Sequence, residues 1–117
     1  MSYMDGFVAA VPNDKKADYI AHAEKFGQVF KRHGALRMID SWGDDVPDGE
    51  VTSFPMAVQK KDDETVVFAW VLWPDKATRD AGMKAVFEDP DMQPDVSPMP
   101  FDGKRLIYGG FEVIVDQ

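Results

Sequence analysis

The apolar residues of the chain change their spacing from one segment to the next, and this change predicts the order of the elements. Residues 3–11, "YMDGFVAAV", form a short apolar run that Pro12 ends, which is typical of a β-strand. In the next segment one stripe of positions recurs every three or four residues and predicts a helix. These positions are Tyr19, Ala23, Phe26, Phe30 and His33. Asn13 is placed for an N-cap, and Gly34 lies where a helix commonly ends.

Two further strands and a second helix follow. Residues 35–42 hold strand formers, and residues 65–73, "TVVFAWVLW", form a strong strand. Between them, residues 54–60 fit either a helical turn or a strand. Residues 76–88 follow Pro74 and are predicted to form a helix. Its apolar face consists of Gly82, Met83, Val86 and Phe87.

The remaining segment completes a recognisable order of elements. The prolines of "DPDMQPDVSPMP", residues 89–100, exclude a helix or an inner strand. A last strand is predicted at residues 104–115. The order β-α-β-β-α-β is that of the α+β ferredoxin-like fold, a four-stranded antiparallel sheet with two helices on one face. The 117 residues are the size of one domain, residues 1–117.

The pair Gly109–Gly110 interrupts the last strand. No helix follows to receive an anion, so the pair is not a phosphate-binding loop. Glycines inside a strand more often mark a bulge or a close approach of backbone. We expect the pair to make room for a ligand or for a partner subunit, and we favour the partner.

Both faces of the strand at residues 65–73 are apolar. One face carries Val66, Phe68, Trp70 and Leu72, and the other carries Val67, Ala69, Val71 and Trp73. Two helices cover only one face of a sheet, and a large open apolar face is rare on soluble monomers. The sequence therefore predicts a homodimer that packs sheet to sheet.

Several segments are similar to those of the YbaA-like bacterial proteins, a domain family of unknown function. The segments are "YMDGFVAAVPNDKK", "GALRMIDSWGDDVPDGEVTSF", "ETVVFAWVLWPDKATRDA" and "MPFDGKRLIYGGFE". They span nearly the whole chain, and the block "WGDDVPDG" is especially specific. The resemblance implies a dimeric α/β barrel, a superfamily that also holds small monooxygenases, haem-handling enzymes and ligand-binding proteins. It implies no particular reaction.

The composition limits the classes of binding partner that we expect for the protein. The formal net charge is -8, which disfavours binding to nucleic-acid backbones. The absence of cysteine excludes disulfides and thiol chemistry. Neither a signal peptide nor an apolar run of about 18 residues is visible, so we expect a cytoplasmic protein without a membrane partner.

Motifs for metals and nucleophiles are weak. If Gly49 is set at position 6 of an EF-hand, Val46 and Pro55 fall where oxygen ligands belong. His22 and His33 lie eleven helical residues apart, about 16 Å, which is too far to share a metal. Ser41 and Ser53 have no G-x-S-x-G context, a Ser-His-Asp triad cannot be argued from spacing, and no nucleotide motif is present. We therefore expect neither a metal site nor a cofactor.

The sharpest candidate site is a cavity between sheet and helices. It would combine Trp42 or Trp70 with Asp40, Arg105 and Tyr108, because pockets are apolar with a few convergent polar groups. His22 is a further candidate at the boundary of helix and sheet. The alternative for the charged members is a purely structural Arg–carboxylate pair, and for the aromatic ones core or dimer packing.

Three functions remain open from the sequence. The first is a small homodimer that binds or transforms a small organic molecule. If it is an enzyme, cofactor-independent oxygenation or isomerisation of an aromatic-like substrate is the most accessible chemistry. The second is a noncatalytic interaction or stress-response module. RNA binding ranks third because of the negative charge.

Overall fold

A computed structural model describes residues 1–117 and shows one antiparallel sheet with its two long helices on one face. The strands are β1 (Tyr3–Pro12), β2 (Arg37–Trp42), β3 (Glu64–Trp73) and β4 (Ile107–Glu112). The helices are α1 (Lys16–Arg32), α2 (Phe54–Ala57) and α3 (Lys76–Glu88), and single 3-10 turns occupy Asn13–Lys15, Pro90–Met92 and Gly103–Arg105. The strand order is β2-β3-β1-β4. This confirms the ferredoxin-like α+β fold.

The main core lies between the sheet and the two long helices. Val71 and Trp73 of β3 pack against Val29 and Phe30 of α1 and Val86 of α3, and all five side chains are buried. The rings of Phe30 and Trp73 meet edge to face with their centroids 6.0 Å apart. The helix-facing side of β3 is therefore the one predicted to carry Val71 and Trp73.

The chain itself covers half of the other sheet face, which we call the open face. Val58, directly after α2, is fully buried against Val8, Ala10 and Val66. Residues 54–60 thus begin with a helical turn, which settles the alternative that the sequence left open. Ser53 caps the turn, because its hydroxyl accepts a hydrogen bond from the Met56 amide at 3.1 Å. The other half of the open face stays uncovered.

Three details of the predicted elements are wrong. Asn13 does not cap α1, because the chain first makes a 3-10 turn and the Asn13 side chain instead accepts a hydrogen bond from the Thr65 hydroxyl. Phe87 does not belong to the apolar face of α3 and is 71% exposed. The last strand spans Ile107–Glu112 rather than residues 104–115, and it begins late because Asp102 caps the preceding turn through the Lys104 amide.

The glycine pair makes room within the subunit at one of its two positions. A Cβ on Gly110 would lie 2.5 Å from the Tyr3 hydroxyl and 2.7 Å from Nη2 of Arg79. The pairing of β4 with β1 runs without a bulge through both glycines. Gly110 is therefore required by an ion pair described below, whereas Gly109 faces the open side, where a Cβ would make only ordinary contacts with Phe111.

The helices are too short or too polar to cross a lipid bilayer.

Candidate functional site

A groove of about 450 Å³ runs between α1 and the edge strand β2. The wall on α1 is one continuous helical face, because its members are spaced three or four residues apart. They are Lys16, Tyr19, Ile20, Ala23, Glu24 and Gly27. The wall on β2 includes Met38, Asp40 and Trp42, which alternate along the strand and so share its helix-facing side.

A hydrogen bond between Tyr19 and Asp40 crosses this groove. The Tyr19 hydroxyl donates to Oδ1 of Asp40 at 2.6 Å, and the Ser41 amide donates to the same oxygen at 3.1 Å. Burial raises the pKa of Asp40 above its ordinary value, and these two hydrogen bonds oppose that rise. Burial and the neighbouring carboxylate both raise the pKa of Tyr19, so the phenol keeps its proton.

Aromatic rings and one cation surround this pair. The Tyr19 ring lies between Trp42 and Phe101, with centroid distances of 6.2 and 6.0 Å. The Lys16 ammonium stands 5.2 Å from the centroid of the Trp42 ring, within the range of a cation–π contact. The groove therefore offers an indole surface, a cation and a partly desolvated carboxylate close together.

Of the residues proposed from the sequence, Asp40 and Trp42 lie together in this groove. Trp70 lies on the open face of the sheet, since it pairs with Ile39 and alternates with Ala69 and Val71. There its ring packs below the Arg37 guanidinium at 5.9 Å. The structure thus separates the two tryptophans by the thickness of the sheet.

Arg105 is engaged elsewhere, in a nearly closed ion pair. Its guanidinium makes two bonds of 2.7 Å to the buried carboxylate of Glu64 and a third, 2.9 Å, to the carbonyl of Gln59. Asp102 accepts a further bond at 3.1 Å. These bonds lower the pKa of Glu64 to about 2. The arrangement ties the loop before β4 to β3, as the structural alternative for charged residues describes.

Tyr108 and His22 lie apart from the groove. Tyr108 is on the edge strand β4 and is 74% exposed. His22 lies on α1, with its ring against Phe26 and its Nδ1 3.5 Å from the Ser97 hydroxyl. Burial, and secondarily Lys25, lowers the pKa of His22. Of the six proposed residues the structure therefore brings only Asp40 and Trp42 into one groove.

Sequence reasoning missed Tyr19 and Lys16 as members of the site. Tyr19 was placed on the apolar stripe of the helix, and its ring is indeed buried there. Its hydroxyl could have been noticed, because a buried tyrosine usually finds a polar partner for that group. Lys16 gives no such signal, since a lysine in the first turn of a helix is ordinarily a solvated residue.

A second cavity lies along α3 and is lined by fewer polar and ionisable side chains. It measures about 550 Å³, and its lining is Ala77, Thr78, Ala81, Gly82, Ala85 and His33. Nε2 of His33 already lies 2.7 Å from Oδ2 of the buried Asp89. No group of three His, Asp or Glu side chains is placed to hold a metal ion. The groove beside β2 is thus the stronger candidate site.

Fold and groove together define a small ferredoxin-like domain with an open cleft at the edge of its sheet. The chain belongs to the protein family described as "Protein of unknown function (DUF1428)", whose model matches residues 2–103. It is 52% identical over 117 residues, all of both chains, to the uncharacterized protein YbaA of Escherichia coli K12. The YbaA of Shigella flexneri matches equally well.

Solved structures with the same fold differ widely in sequence. A mutant form of SnoaB, a cofactor-independent oxygenase of Streptomyces nogalater, superposes with a TM-score of 0.61 at 14% identity, covering 98% of this chain and 95% of SnoaB. A dimeric ferredoxin-like protein from an uncultured marine organism gives 0.58 at 12% identity, covering 99% and 96%. At these identities the likeness shows the fold alone.

Proposed function

We propose that the protein is a cytoplasmic homodimer that binds a small organic molecule in the groove between α1 and β2. The observation that carries the proposal is the Asp40 carboxylate, half-buried beside an indole ring and oriented by Tyr19. A pocket of this kind combines apolar walls with a few convergent polar groups. A carboxyl group of raised pKa in a cleft is also a functional-site candidate on physical grounds.

The same carboxylate is suited to accept a proton. General bases work best when burial brings their pKa nearer to neutral, and burial acts on Asp40 in that direction. In a catalysed reaction, Asp40 would take the proton of an acidic hydroxyl or C–H group of the bound molecule, and the electron pair would stay on the substrate. Tyr19 would then hold the carboxyl group in position. The oxygenase activity of SnoaB is compatible with such a step on this fold, without a resident cofactor.

The homodimer is supported by the uncovered half of the open face. Phe111 of β4 is 59% exposed and Ile107 is 43% exposed, and both lie beside half-buried Met4, Trp70 and Leu72. Apolar patches of this kind on soluble proteins mark interaction sites. One of the structural neighbours is a dimeric ferredoxin-like protein.

Thermal-shift screening with a metabolite collection tests the binding proposal. We expect a subset of apolar hydroxylated compounds to raise the melting temperature of the wild type. Asp40→Asn should reduce that shift while keeping the shape of the side chain. Asp80→Asn is the matched control, because Asp80 is exposed on α3, away from the groove. Stabilisation that survives Asp40→Asn for every compound would contradict the site.

Sedimentation equilibrium tests the dimer. Phe111→Glu should shift the wild-type dimer to monomer, because it places a charge in the apolar patch. Phe87→Glu replaces a similarly exposed phenylalanine on α3, outside that patch, and should leave the dimer intact. A folded wild-type monomer at micromolar concentration would contradict the proposal.

A further inference from the structure

One end of the groove carries Lys16 and Trp42, and the other is mainly apolar, with the exposed carboxylate of Glu24 one helical turn before Gly27. An inference about the ligand follows from this and rests on the proposed function. At the polar end the Lys16 ammonium faces the Trp42 ring. At the other end Gly27 faces Met38, and a Cβ on Gly27 would lie 3.3 Å from the Met38 methyl carbon. Asp40 lies between, two residues from Trp42 and two from Met38 along β2.

Lys16 is a cation without a carboxylate partner. The ion pairs of the chain involve Arg32, His33, Lys76, Arg79 and Arg105. In a chain of net charge -8, a lysine in a groove that is free of such a pair is available to an anionic group of a ligand. Its ammonium has three donors, and the indole ring covers only one side of it.

Asp40 has an acceptor to spare. Both of its hydrogen bonds within the chain go to Oδ1, and Oδ2 receives none. A ligand hydroxyl can therefore donate to Oδ2. A ligand carboxylate at the same place would meet a like charge, so the anionic group belongs at Lys16 and the hydroxyl at Asp40.

At the apolar end, Gly27 makes room for the Met38 side chain, whose methyl carbon would lie 3.3 Å from an added Cβ. Gly27 lies inside α1, where glycine costs about 1 kcal/mol relative to alanine. The flexible thioether of Met38 fills the space beside Gly27, so the groove runs along Ala23 and ends on a side chain that can shift. The eleven residues from Lys16 to Gly27 correspond to a length of about 16 Å.

We propose that the groove selects an elongated, mainly apolar carboxylic acid that carries a hydroxyl group part of the way along. The carboxylate pairs with Lys16, the hydroxyl donates to Oδ2 of Asp40, and the apolar remainder lies against Gly27 and Met38. Asp40 and Trp42 are two positions apart along β2, a Cα spacing of about 6.6 Å, and we take this spacing as the separation of hydroxyl and carboxylate, about five bonds.

Isothermal titration with 6-hydroxydodecanoate tests the charged end. The acid should bind the wild type about tenfold more tightly than its methyl ester, as expected for one charge-assisted hydrogen bond. Lys16→Met should remove this difference and leave the affinity of the ester unchanged. Lys31→Met is the control, because Lys31 is exposed in the last turn of α1 and does not line the groove.

Chain length tests the apolar end. Gly27→Leu should weaken 6-hydroxydodecanoate about tenfold and leave 6-hydroxyhexanoate unchanged, since the short acid does not reach that residue. Both probes are measured on the same variant, so a loss of folding would weaken both and is recognised by circular dichroism. If Gly27→Leu does not fold, Gly27→Ala is measured instead, and it must weaken the binding of 6-hydroxydodecanoate without changing that of 6-hydroxyhexanoate.

Two results would overturn this inference. The first is equal binding of acid and ester to the wild type, with no effect of Lys16→Met; groove binding, and so the proposed function, would then stand without the acid preference. The second is no binding of either acid. If compounds from the metabolite screen still depend on Asp40, only the ligand class is wrong; if none do, the proposed function fails as well.

Discussion

The Tyr19 hydroxyl on α1 donates a 2.6 Å hydrogen bond to Oδ1 of Asp40 on β2, and this bond joins the two walls of the groove. Tyr19→Phe removes the donor and leaves the carboxylate with the Ser41 amide alone. We expect a loss of about 1–3 kcal/mol in the free energy of unfolding, because a charged acceptor loses its shorter bond. Urea denaturation measures it, and Tyr108→Phe on the exposed edge strand should change nothing.

The same variant should change the titration of Asp40. Its pKa is already raised by burial, so the folded state binds the proton more strongly than the unfolded state. The contribution of Asp40 to stability is therefore greatest below the ordinary pKa and falls as the pH rises through the raised one. Tyr19→Phe should raise the pKa further, as followed by carbon NMR of the Asp40 carboxyl. An unchanged or lower pKa would contradict the role given to this hydrogen bond.

Glu64 should lower the stability of the folded state at acidic pH, which is the opposite of the pH dependence expected for Asp40. Its pKa is lowered from 4.5 to about 2, chiefly by the hydrogen bonds from Arg105. A carboxyl group whose pKa is lowered in the folded state stabilises it above the unfolded pKa, and this stability is lost as the pH falls. Unfolding free energies measured between pH 4.5 and 2 should fall less steeply for Glu64→Gln than for the wild type. Glu50→Gln, on the exposed loop before α2, should keep the wild-type slope.

Replacing the buried carboxylate of Asp5 should strongly destabilise the fold. It accepts bonds from Nε and Nη2 of Arg79, the shortest 2.7 Å, and one of 3.0 Å from the Trp73 indole. Asp5→Asn removes the buried charge that pairs with the guanidinium and should cost about 3–5 kcal/mol of the free energy of unfolding. Asp80→Asn removes only the exposed partner of Arg79 and should have little effect. Equal losses in the two variants would show that burial does not govern this pair.

Gly110 should be intolerant of a side chain because of the same ion pair. The added Cβ of Gly110→Ala would lie 2.7 Å from Nη2 of Arg79 and closer still to Tyr3, so the guanidinium must leave Asp5. We expect a decrease of at least several degrees in the melting temperature. Gly109→Ala is the matched control, because its nearest contact would be 3.6 Å. Similar melting temperatures for the two variants would contradict this assignment.

Most of the fold follows from the spacing of apolar residues. The alternation along β3 and the stripe on α1 fixed which residues face each other, and α3 has the predicted bounds. The covering of the open face by Val58 could not be predicted, because residues 44–63 carry no strong period and their position depends on contacts with β1 and β3. Arg105 was assigned to a strand because its neighbours are strand formers, whereas the Asp102 cap and Glu64 hold it in a turn.

The candidate site was only half predictable. Asp40 and Trp42 share a strand face by simple alternation, and that face does line the groove. The hydrogen bond from Tyr19 to Asp40 could not be predicted, because it depends on how closely α1 approaches β2 and the spacing of residues within each element does not give that distance. The grouping with Arg105 and Tyr108 fails because the strand order places β3 and β1 between β2 and β4.

Binding in the groove is tested most directly by amide and indole NMR shifts of the labelled protein during titration with a compound that stabilises it. We expect the largest changes at Tyr19, Ala23, Asp40, Ser41 and the Trp42 indole, and we expect Asp40→Asn to weaken binding of the compound. Shifts concentrated along α3, at Thr78, Ala81 and Ala85, or a titration unaffected by Asp40→Asn, would contradict it.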